Sequence, residues 1–387
     1  MSTSNSRPIE MAARTLAARF GIPAILVLAL ALGVSGCASG TPTLAQAAPE
    51  SAGFDREMLE AAVDLYRERV EDGRLRSVVL LVARRGQVVL HEALGWRDYE
   101  SQLAMEPNSL IRMASNTKAV ITTAALILAE EGALSLDDPV HRYLPAFERE
   151  GFDEITVAQL MSNSSGMPRG PIFLPGANAE SNLVRESERF AESVELASRP
   201  GTAYGYSNAG FNILGGVIEA VTGQNLEEVL RERIYEPLDM LDSSNFESTT
   251  DNGRMAVVYR GAEGRRGWSP GDPPSFPIVR ASGGMISTAW DYAAFMQMWL
   301  NGGSYGKVRL LSEESVALGL SVQSATGNYG YGWMIRSNGS FDHGGSDGTF
   351  AWADPDRELI GIVFTQHPGG DNPSSEFREL IERAISH

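Results

Sequence analysis

The 387-residue chain contains 43% apolar and 21% charged residues, the composition of a folded globular protein rather than a disordered one. Its length predicts about two domains with sizeable cores. The formal net charge of −17 at pH 7 argues against nucleic acid or anionic lipid as a partner. The single cysteine, Cys37, excludes internal disulfides and a thiolate nucleophile.

The first 36 residues are typical of an export signal. Arg7, Arg14 and Arg19 precede a 14-residue apolar run at positions 21–34. That run is shorter than the ~20 residues that a helix needs to cross a bilayer. We therefore expect a signal peptide over 1–36.

The apolar run ends in Val-Ser-Gly-Cys, which resembles the bacterial lipoprotein processing site. This resemblance implies that Cys37 becomes a lipid-bearing N-terminus, followed by a flexible tether over 37–49. The expected product is an exported, membrane-anchored lipoprotein. Ala38 would by the same resemblance favour the periplasmic side of the outer membrane in a Gram-negative cell. The alternative is a chance cysteine after an ordinary signal peptide.

The start of the mature chain predicts a helix and a β-hairpin. Apolar residues recur at helical spacing over 54–70. Two apolar runs at 77–83 and 87–93 flank an Arg-Arg-Gly turn, and the first run is apolar enough for a strand buried on both faces. The C-terminal end predicts three further strands and a final helix, at 331–336, 349–353, 358–365 and 376–385.

The middle of the chain is predicted to be helical or loop. Helices are expected at 117–131, 209–221 and 288–300, and a long surface loop at 254–280. Thr288, with Asp291 three residues on, predicts the cap of the third helix.

These elements predict an α+β fold in which an antiparallel sheet is built from both chain termini and flanked by helices. The sheet domain would comprise 50–115 and 280–387, and the mainly helical domain 116–279. A cleft between the two is the expected site.

Lys118 is one of only two lysines in a chain with 32 Lys plus Arg. Lysine, unlike arginine, loses its proton when it is buried or placed beside another cation. Ser115 lies three residues earlier at the start of a predicted helix, where positions i and i+3 share a face. The pair predicts a serine nucleophile with a lysine base. The alternative is a helix-capping Ser115 and an exposed Lys118.

Two other stretches carry candidate polar residues, each weak alone. Tyr206 and Asn208 precede the predicted helix 209–221, where Asn208 or Ser207 could simply cap it. The sequence Asp-His-Gly-Gly-Ser at 342–346 lies between predicted strands. A second Ser-x-x-Lys, Ser304 to Lys307, falls in a glycine-rich stretch that opposes a helix, and there a turn is expected.

Together and in this order, SNTK, YSN and HGG resemble the motifs of the serine β-lactamase and penicillin-binding-protein family. Those motifs are Ser-x-x-Lys, Tyr-x-Asn, and Lys-Thr-Gly or His-x-Gly. Longer stretches such as EGALSLDDPVHRYLPAF and PGTAYGYSNAGFNILGGVIEAVTGQ resemble its branch of class C β-lactamases, D-Ala-D-Ala carboxypeptidases and β-lactamase-like esterases. The resemblance covers roughly residues 50–387.

The resemblance implies that Ser115 is acylated and that Lys118 and Tyr206 share the proton transfers. The oxyanion hole would be the backbone N–H groups of Ser115 and Ser346. Substrate-binding residues would be Asn208, His343, Gly344, Gly345 and Ser346. No metal or organic cofactor is implied. The expected reaction is hydrolysis of a β-lactam-like compound, a D-amino-acid peptide or a small ester.

Three departures from the family pattern bear on the substrate. His343 replaces the commoner lysine and would be mostly neutral near pH 7. Gly344 removes a threonine hydroxyl that in relatives helps to hold a substrate carboxylate. Both changes weaken the case for penicillins and D-Ala-D-Ala peptides and leave uncharged esters or amides open. NSSG at 163–166 stands where relatives often have His-Thr-Ser-Gly, a difference interpreted as structural.

Two rival interpretations remain open. Gly344 to Gly348 satisfies Gly-x-Ser-x-Gly, the nucleophile elbow of α/β-hydrolases, which would use Ser346 with a later Asp and His367. That elbow requires a strand before it and a helix after it. The other rival is a lipid-anchored penicillin-binding sensor that is acylated but never deacylates.

Overall fold

The computed structural model describes residues 40–246 and 253–385. The predicted signal peptide, Cys37 and the first residues of the tether lie outside these ranges. Within them, no helix is both long enough and apolar enough to cross a membrane.

The described residues form helices and strands as follows. The α-helices are α1 (Arg56–Glu71), α2 (Thr117–Glu130), α3 (Val157–Met161), α4 (Leu183–Ser193), α5 (Asn208–Thr222), α6 (Leu226–Leu230), α7 (Ala289–Leu300), α8 (Glu313–Gly319) and α9 (Ser374–Arg383). The longer strands are β2 (Ser77–Arg84), β3 (Gln87–Asp98), β12 (Phe341–Gly345), β13 (Thr349–Asp354) and β14 (Leu359–Phe364).

Shorter elements complete the described chain. The two-residue strands are β1 (Ala45–Gln46), β4 (Leu103–Ala104), β5 (Ile111–Arg112), β6 (Tyr259–Arg260), β7 (Arg265–Arg266), β8 (Ile286–Ser287), β9 (Ser304–Tyr305), β10 (Val308–Arg309) and β11 (Met334–Ile335). The 3₁₀ turns are Pro49–Ala52, Ala114–Asn116, Val140–Arg142 and Pro145–Phe147, and a π-helical turn, Arg231–Tyr235, follows α6.

The main sheet joins the two ends of the chain, as the sequence predicts. Its strand order is β1-β3-β2-β14-β13-β12-β11, with β4 paired to β3. Neighbours are antiparallel except for the parallel pair of β1 and β3. The expected α+β fold is confirmed.

Strand β2 is buried on both faces because a layer of helices covers each side of the sheet. Side chains alternate along a strand, so Val78 and Leu80 pack into one cluster with residues of α1 and α9. Val79 and Leu81 pack on the other face with residues of α2, α5 and α7. Helices α2 and α5, which position the candidate site, therefore pack on this second face of the sheet.

The expected helix signals are present. The Thr288 side chain accepts a hydrogen bond from Asp291 N at 3.1 Å, which caps α7. Gly223 ends α5 with φ of 68°, a left-handed conformation that favours glycine. The glycine-rich stretch at Ser304 to Lys307 runs from β9 into a turn rather than forming a helix.

Three predictions of local structure need correction. The HGG stretch does not lie between strands but forms β12, because pairing of Gly344 with Phe350 and of Gly345 with Thr349 overrides the weak strand preference of glycine. The strand expected over 331–336 is limited to β11. The surface loop expected over 254–280 begins with a buried stretch, 255–259, and contains the β6–β7 hairpin.

Candidate active site

Ser115 lies in the 3₁₀ turn that leads into α2. The preceding residue, Ala114, has φ of 46°, a conformation that is strained for a residue with a Cβ. Two hydrogen bonds hold the turn: Thr117 Oγ1 donates to Ala114 O at 2.6 Å, and Met113 N donates to Met285 O at 2.9 Å. Ser115 is thus fixed at the helix start, and its side chain does not cap α2.

Lys118 is fully buried on the first turn of α2. Its Nζ lies 3.2 Å from Ser115 Oγ, 2.9 Å from Asn208 Oδ1 and 2.6 Å from the carbonyl oxygen of Ser282. Desolvation, and then the positive charge of Arg280, lower the pKa of Lys118 well below its ordinary value. The alternative of a surface lysine is therefore wrong, and burial favours the neutral amine.

Tyr206 and Asn208 approach the serine from the start of α5. The Tyr206 hydroxyl donates to Ser115 Oγ at 2.7 Å. Burial, partly offset by the bond to Ser115, raises the pKa of Tyr206 to about 12. The Ser207 hydroxyl caps α5 by accepting from Gly210 N at 3.0 Å. Asn208 is therefore left to face Lys118, and Tyr206 remains a phenol that can donate a proton.

Strand β12 runs directly beside the serine turn. A Cβ on Gly345 would lie 2.5 Å from Met113 O and 3.0 Å from the Ala114 Cβ, so only glycine permits this approach. The Thr349 hydroxyl donates to Met113 O at 3.0 Å and accepts from Asn116 Nδ2 at 2.9 Å. The HGG strand and the serine turn are thereby joined, and Ser346 is exposed at the end of the strand.

His343 is buried and its ring is fully engaged. Its Nδ1 lies 2.9 Å from Gly344 O, which accepts only, so Nδ1 carries the proton. Tyr329 then donates its hydroxyl to Nε2 at 3.1 Å. Burial, and Lys118 when it is protonated at low pH, lower the pKa of His343 to about 3. The ring is therefore neutral at physiological pH.

The sequence alternatives to a Ser115 nucleophile do not form a second catalytic group. The Gly-x-Ser-x-Gly segment is a strand, turn and strand, so the elbow with Ser346 is not formed. His367 accepts from Arg76 N at 3.2 Å through Nδ1 and donates to Gly261 O at 2.8 Å through Nε2. In NSSG, Asn163 Oδ1 accepts from Ser207 N at 3.0 Å, which agrees with a structural role.

No sequence pattern marks Ser282, Tyr329 or Thr349 as parts of the site. Ser282 contributes through its backbone carbonyl, which leaves no signature in the side-chain pattern. Tyr329 contacts the His343 ring, and Thr349 contacts the backbone carbonyl of Met113. Neither contact is part of a local sequence motif. Over 40–246 and 253–385, no group of three or more His, Cys, Asp or Glu side chains could hold a metal ion.

Comparison with known proteins supports this assignment of fold and family. The model of the family described as Beta-lactamase matches residues 62–384. The "Putative D-alanyl-D-alanine carboxypeptidase" of Escherichia coli (strain K12) is 27% identical, over 88% of this chain and 89% of that protein. The chain therefore belongs to the Beta-lactamase family, a family of serine hydrolases.

Solved structures share the fold across most of the described chain. A family VIII carboxylesterase superimposes with a TM-score of 0.72 at 21% identity, covering 86% of this chain and 99% of that chain. The D-amino acid amidase from Ochrobactrum anthropi SV3 gives 0.70 at 22% identity, covering 85% of this chain and 100% of that chain.

Proposed function

We propose that this protein is a serine hydrolase that cleaves small uncharged esters, and amides more slowly, through an acyl-enzyme on Ser115. The observation that carries the proposal is that Ser115 Oγ contacts both a buried amine, Lys118 Nζ at 3.2 Å, and a phenol, Tyr206 Oη at 2.7 Å. A serine hydroxyl with a base and an acid in contact is the minimal arrangement for acyl transfer.

The neutral amine of Lys118 fits its three neighbours. It has two N–H groups, and two pure acceptors are in reach, Asn208 Oδ1 at 2.9 Å and Ser282 O at 2.6 Å. With both N–H groups so used, the lone pair is left for Ser115 Oγ, which lies 3.2 Å away. Lys118 is therefore assigned as the base that removes the Ser115 proton.

The reaction then proceeds in two steps. As Ser115 Oγ attacks the substrate carbonyl carbon, its proton moves to Lys118 Nζ and a tetrahedral oxyanion forms. The backbone N–H groups of Ser115 and Ser346 are proposed to bind that oxyanion, and loss of one such donor typically costs about 3–4 kcal/mol. Tyr206 donates a proton to the departing alcohol and regains one from Lys118. Water, deprotonated by the same pair, releases the acid.

The side chains of the HGG strand are the reason for proposing uncharged substrates. β-Lactams and D-Ala-D-Ala peptides carry a carboxylate, which a cation or hydroxyl in this strand would bind. Here His343 is neutral, with a pKa lowered to about 3, and donates its one N–H to Gly344 O. Gly344 offers no side chain. A substrate carboxylate therefore gains nothing from the side chains of His343 and Gly344.

A second candidate activity is D-Ala-D-Ala carboxypeptidase. It is favoured by the name of the Escherichia coli relative, which is 27% identical along nearly its whole length. In this case the carboxylate would have to be held by groups outside the HGG strand.

The two candidates separate in one experiment. We would measure kcat/KM for p-nitrophenyl butyrate, for a peptide ending in D-Ala-D-Ala and for a chromogenic cephalosporin, with Ser115→Ala as the blank. The proposal expects the ester to be preferred by more than about a hundredfold, which is about 2.7 kcal/mol of transition-state binding. Comparable or faster turnover of the D-Ala-D-Ala peptide or of the cephalosporin would contradict it.

A third possibility, a sensor that acylates without turnover, is tested by the same ester. A stoichiometric burst with no steady state would indicate a sensor, whereas sustained release of p-nitrophenol indicates an enzyme.

We also propose that Cys37 anchors the protein to a membrane through lipid, on the sequence pattern alone. Metabolic labelling with palmitate should mark the wild type and not Cys37→Ser.

A further inference from the structure

A buried asparagine lies one helical turn beyond Asn208. Asn212 occupies α5 four residues after Asn208, so the two side chains share a helix face. Asn212 is 4% exposed. Its Oδ1 accepts a hydrogen bond from Ser282 N at 3.0 Å, and its Nδ2 donates to Ile172 O at 2.9 Å. Both ends of the amide are therefore used by backbone groups.

Ser282 connects this amide to the amine of the site. The Ser282 carbonyl accepts from Lys118 Nζ at 2.6 Å, the shortest of the three contacts made by that nitrogen. Helix α5 thus reaches Lys118 twice. Asn208 contacts the amine directly, and Asn212 holds the residue whose carbonyl contacts it.

The backbone around Ser282 needs such an anchor because two glycines follow it. A Cβ on Gly283 would lie 3.2 Å from the Ala114 carbonyl carbon, and one on Gly284 would lie 2.8 Å from Arg280 O. Glycine is required for the second approach and relieves a tight contact in the first, yet it restrains the backbone least of all residues. The Asn212 hydrogen bond restrains Ser282 directly, in addition to the packing of Ala281 in the core.

We propose that Asn212 is a positioning residue for Lys118, acting through the Ser282 carbonyl. This inference rests on the proposed role of Lys118 as the base for Ser115. With Ser282 held, both N–H groups of the amine have fixed acceptors and its lone pair points at the serine. Without Asn212, the Ser282 carbonyl moves, the amine samples other orientations, and proton transfer from Ser115 slows.

A purely structural role makes a different prediction. Asn212 also ties α5 to the loop at Ile172, so its loss will lower stability whatever it does for Lys118. A structural role would lower the melting temperature and leave the acylation rate of the folded enzyme and its pH dependence unchanged. Those two kinetic quantities therefore decide the question.

The experiment uses the full-length protein and p-nitrophenyl butyrate. Single-turnover acylation of Ser115 is measured against pH for wild type, Asn212→Leu and Asn212→Ala, the last because alanine is the best helix former. The matched control is Gln297→Leu, which removes another buried amide, 2% exposed, on α7, where Nε2 donates to Asn301 Oδ1 at 2.9 Å.

We expect both Asn212 variants to acylate about 10- to 100-fold more slowly, with KM within about threefold, because a displacement of ~1 Å can cost about a hundredfold. The acidic limb of the rate profile should also move to higher pH, since an amine that gains water recovers its ordinary pKa. Gln297→Leu should match the wild type in both respects.

Failure of this inference differs from failure of the proposed function. If the wild type forms no acyl-enzyme on Ser115, both are overturned. If the wild type acylates but the Asn212 variants match Gln297→Leu in rate and pH limb, only the role of Asn212 is overturned. Should Asn212→Leu not fold, Asn212→Ala alone decides.

Discussion

Replacing Lys118 with methionine should remove activity and change how stability depends on pH. Methionine has nearly the shape of lysine without its charge. In the wild type, burial lowers the pKa of the amine well below the ordinary value, which favours the neutral form in the folded state. The unfolded chain returns it to about 10.4. Between those two pKa values, unfolding takes up one proton.

The sign and size of the effect follow from this proton uptake. Because the unfolded state binds one proton more, the free energy of unfolding of the wild type rises by about 1.4 kcal/mol per pH unit in that window. Lys118→Met lacks this dependence. The variant also leaves Asn208 Oδ1 and Ser282 O without the amine, which costs about 1–3 kcal/mol for each unsatisfied group. The difference in free energy of unfolding between the two proteins at any one pH therefore combines several contributions. The change of that difference with pH reports the protonation state of Lys118.

Urea unfolding of both proteins at about pH 7.5 and about pH 9 measures the slope. We expect the wild type to gain about 2 kcal/mol relative to Lys118→Met over this interval. Hydrolysis of p-nitrophenyl butyrate by the variant should fall by at least about 10²-fold, the usual contribution of a general base. An unchanged stability difference would mean that Lys118 is an ammonium in the folded protein, and the assignment of the base would be wrong.

Three other substitutions test the remaining parts of the site. Tyr206→Phe removes the hydroxyl that donates to Ser115 at 2.7 Å and should lower kcat by about 10²- to 10⁴-fold with little change in KM, as steady-state kinetics will show; an unchanged kcat would exclude the tyrosine from proton transfer. His343→Gln should lose less stability in acid than the wild type, whose free energy of unfolding falls by about 1.4 kcal/mol per pH unit below about pH 6.5, towards the folded pKa of about 3. If urea unfolding at about pH 6 and about pH 5 shows the same loss of stability in both proteins, this prediction is wrong. Ser346→Ala should retain most esterase activity because only its backbone N–H is used, whereas a loss equal to that of Ser115→Ala would support the elbow.

The fold could be predicted from sequence where periodicity and caps agreed. Burial of β2 on both faces and the capping of α7 by Thr288 follow from local patterns. The HGG strand could not be predicted, since two glycines have low strand preference and only pairing with β13 forms it. The buried stretch over 255–259 was likewise hidden in a region rich in glycine, proline and arginine.

In the candidate site, too, local contacts could be predicted from the sequence and contacts between distant residues could not. Ser115 and Lys118 could be paired from their spacing, because i and i+3 share a helix face. The contact of Tyr206 with Ser115 spans 91 residues, and that of Ser282 with Lys118 spans 164. Only the resemblance to a known family suggested the first. Nothing in the sequence suggested the second, because a carbonyl acceptor belongs to every residue.

The central claim is that Ser115 becomes acylated. The most direct measurement is mass spectrometry of the protein quenched in acid after brief exposure to p-nitrophenyl butyrate, followed by peptide mapping. We expect one butyryl group per chain, located on Ser115 and absent from Ser115→Ala. An adduct on another residue, or ester turnover that persists undiminished in Ser115→Ala, would contradict it.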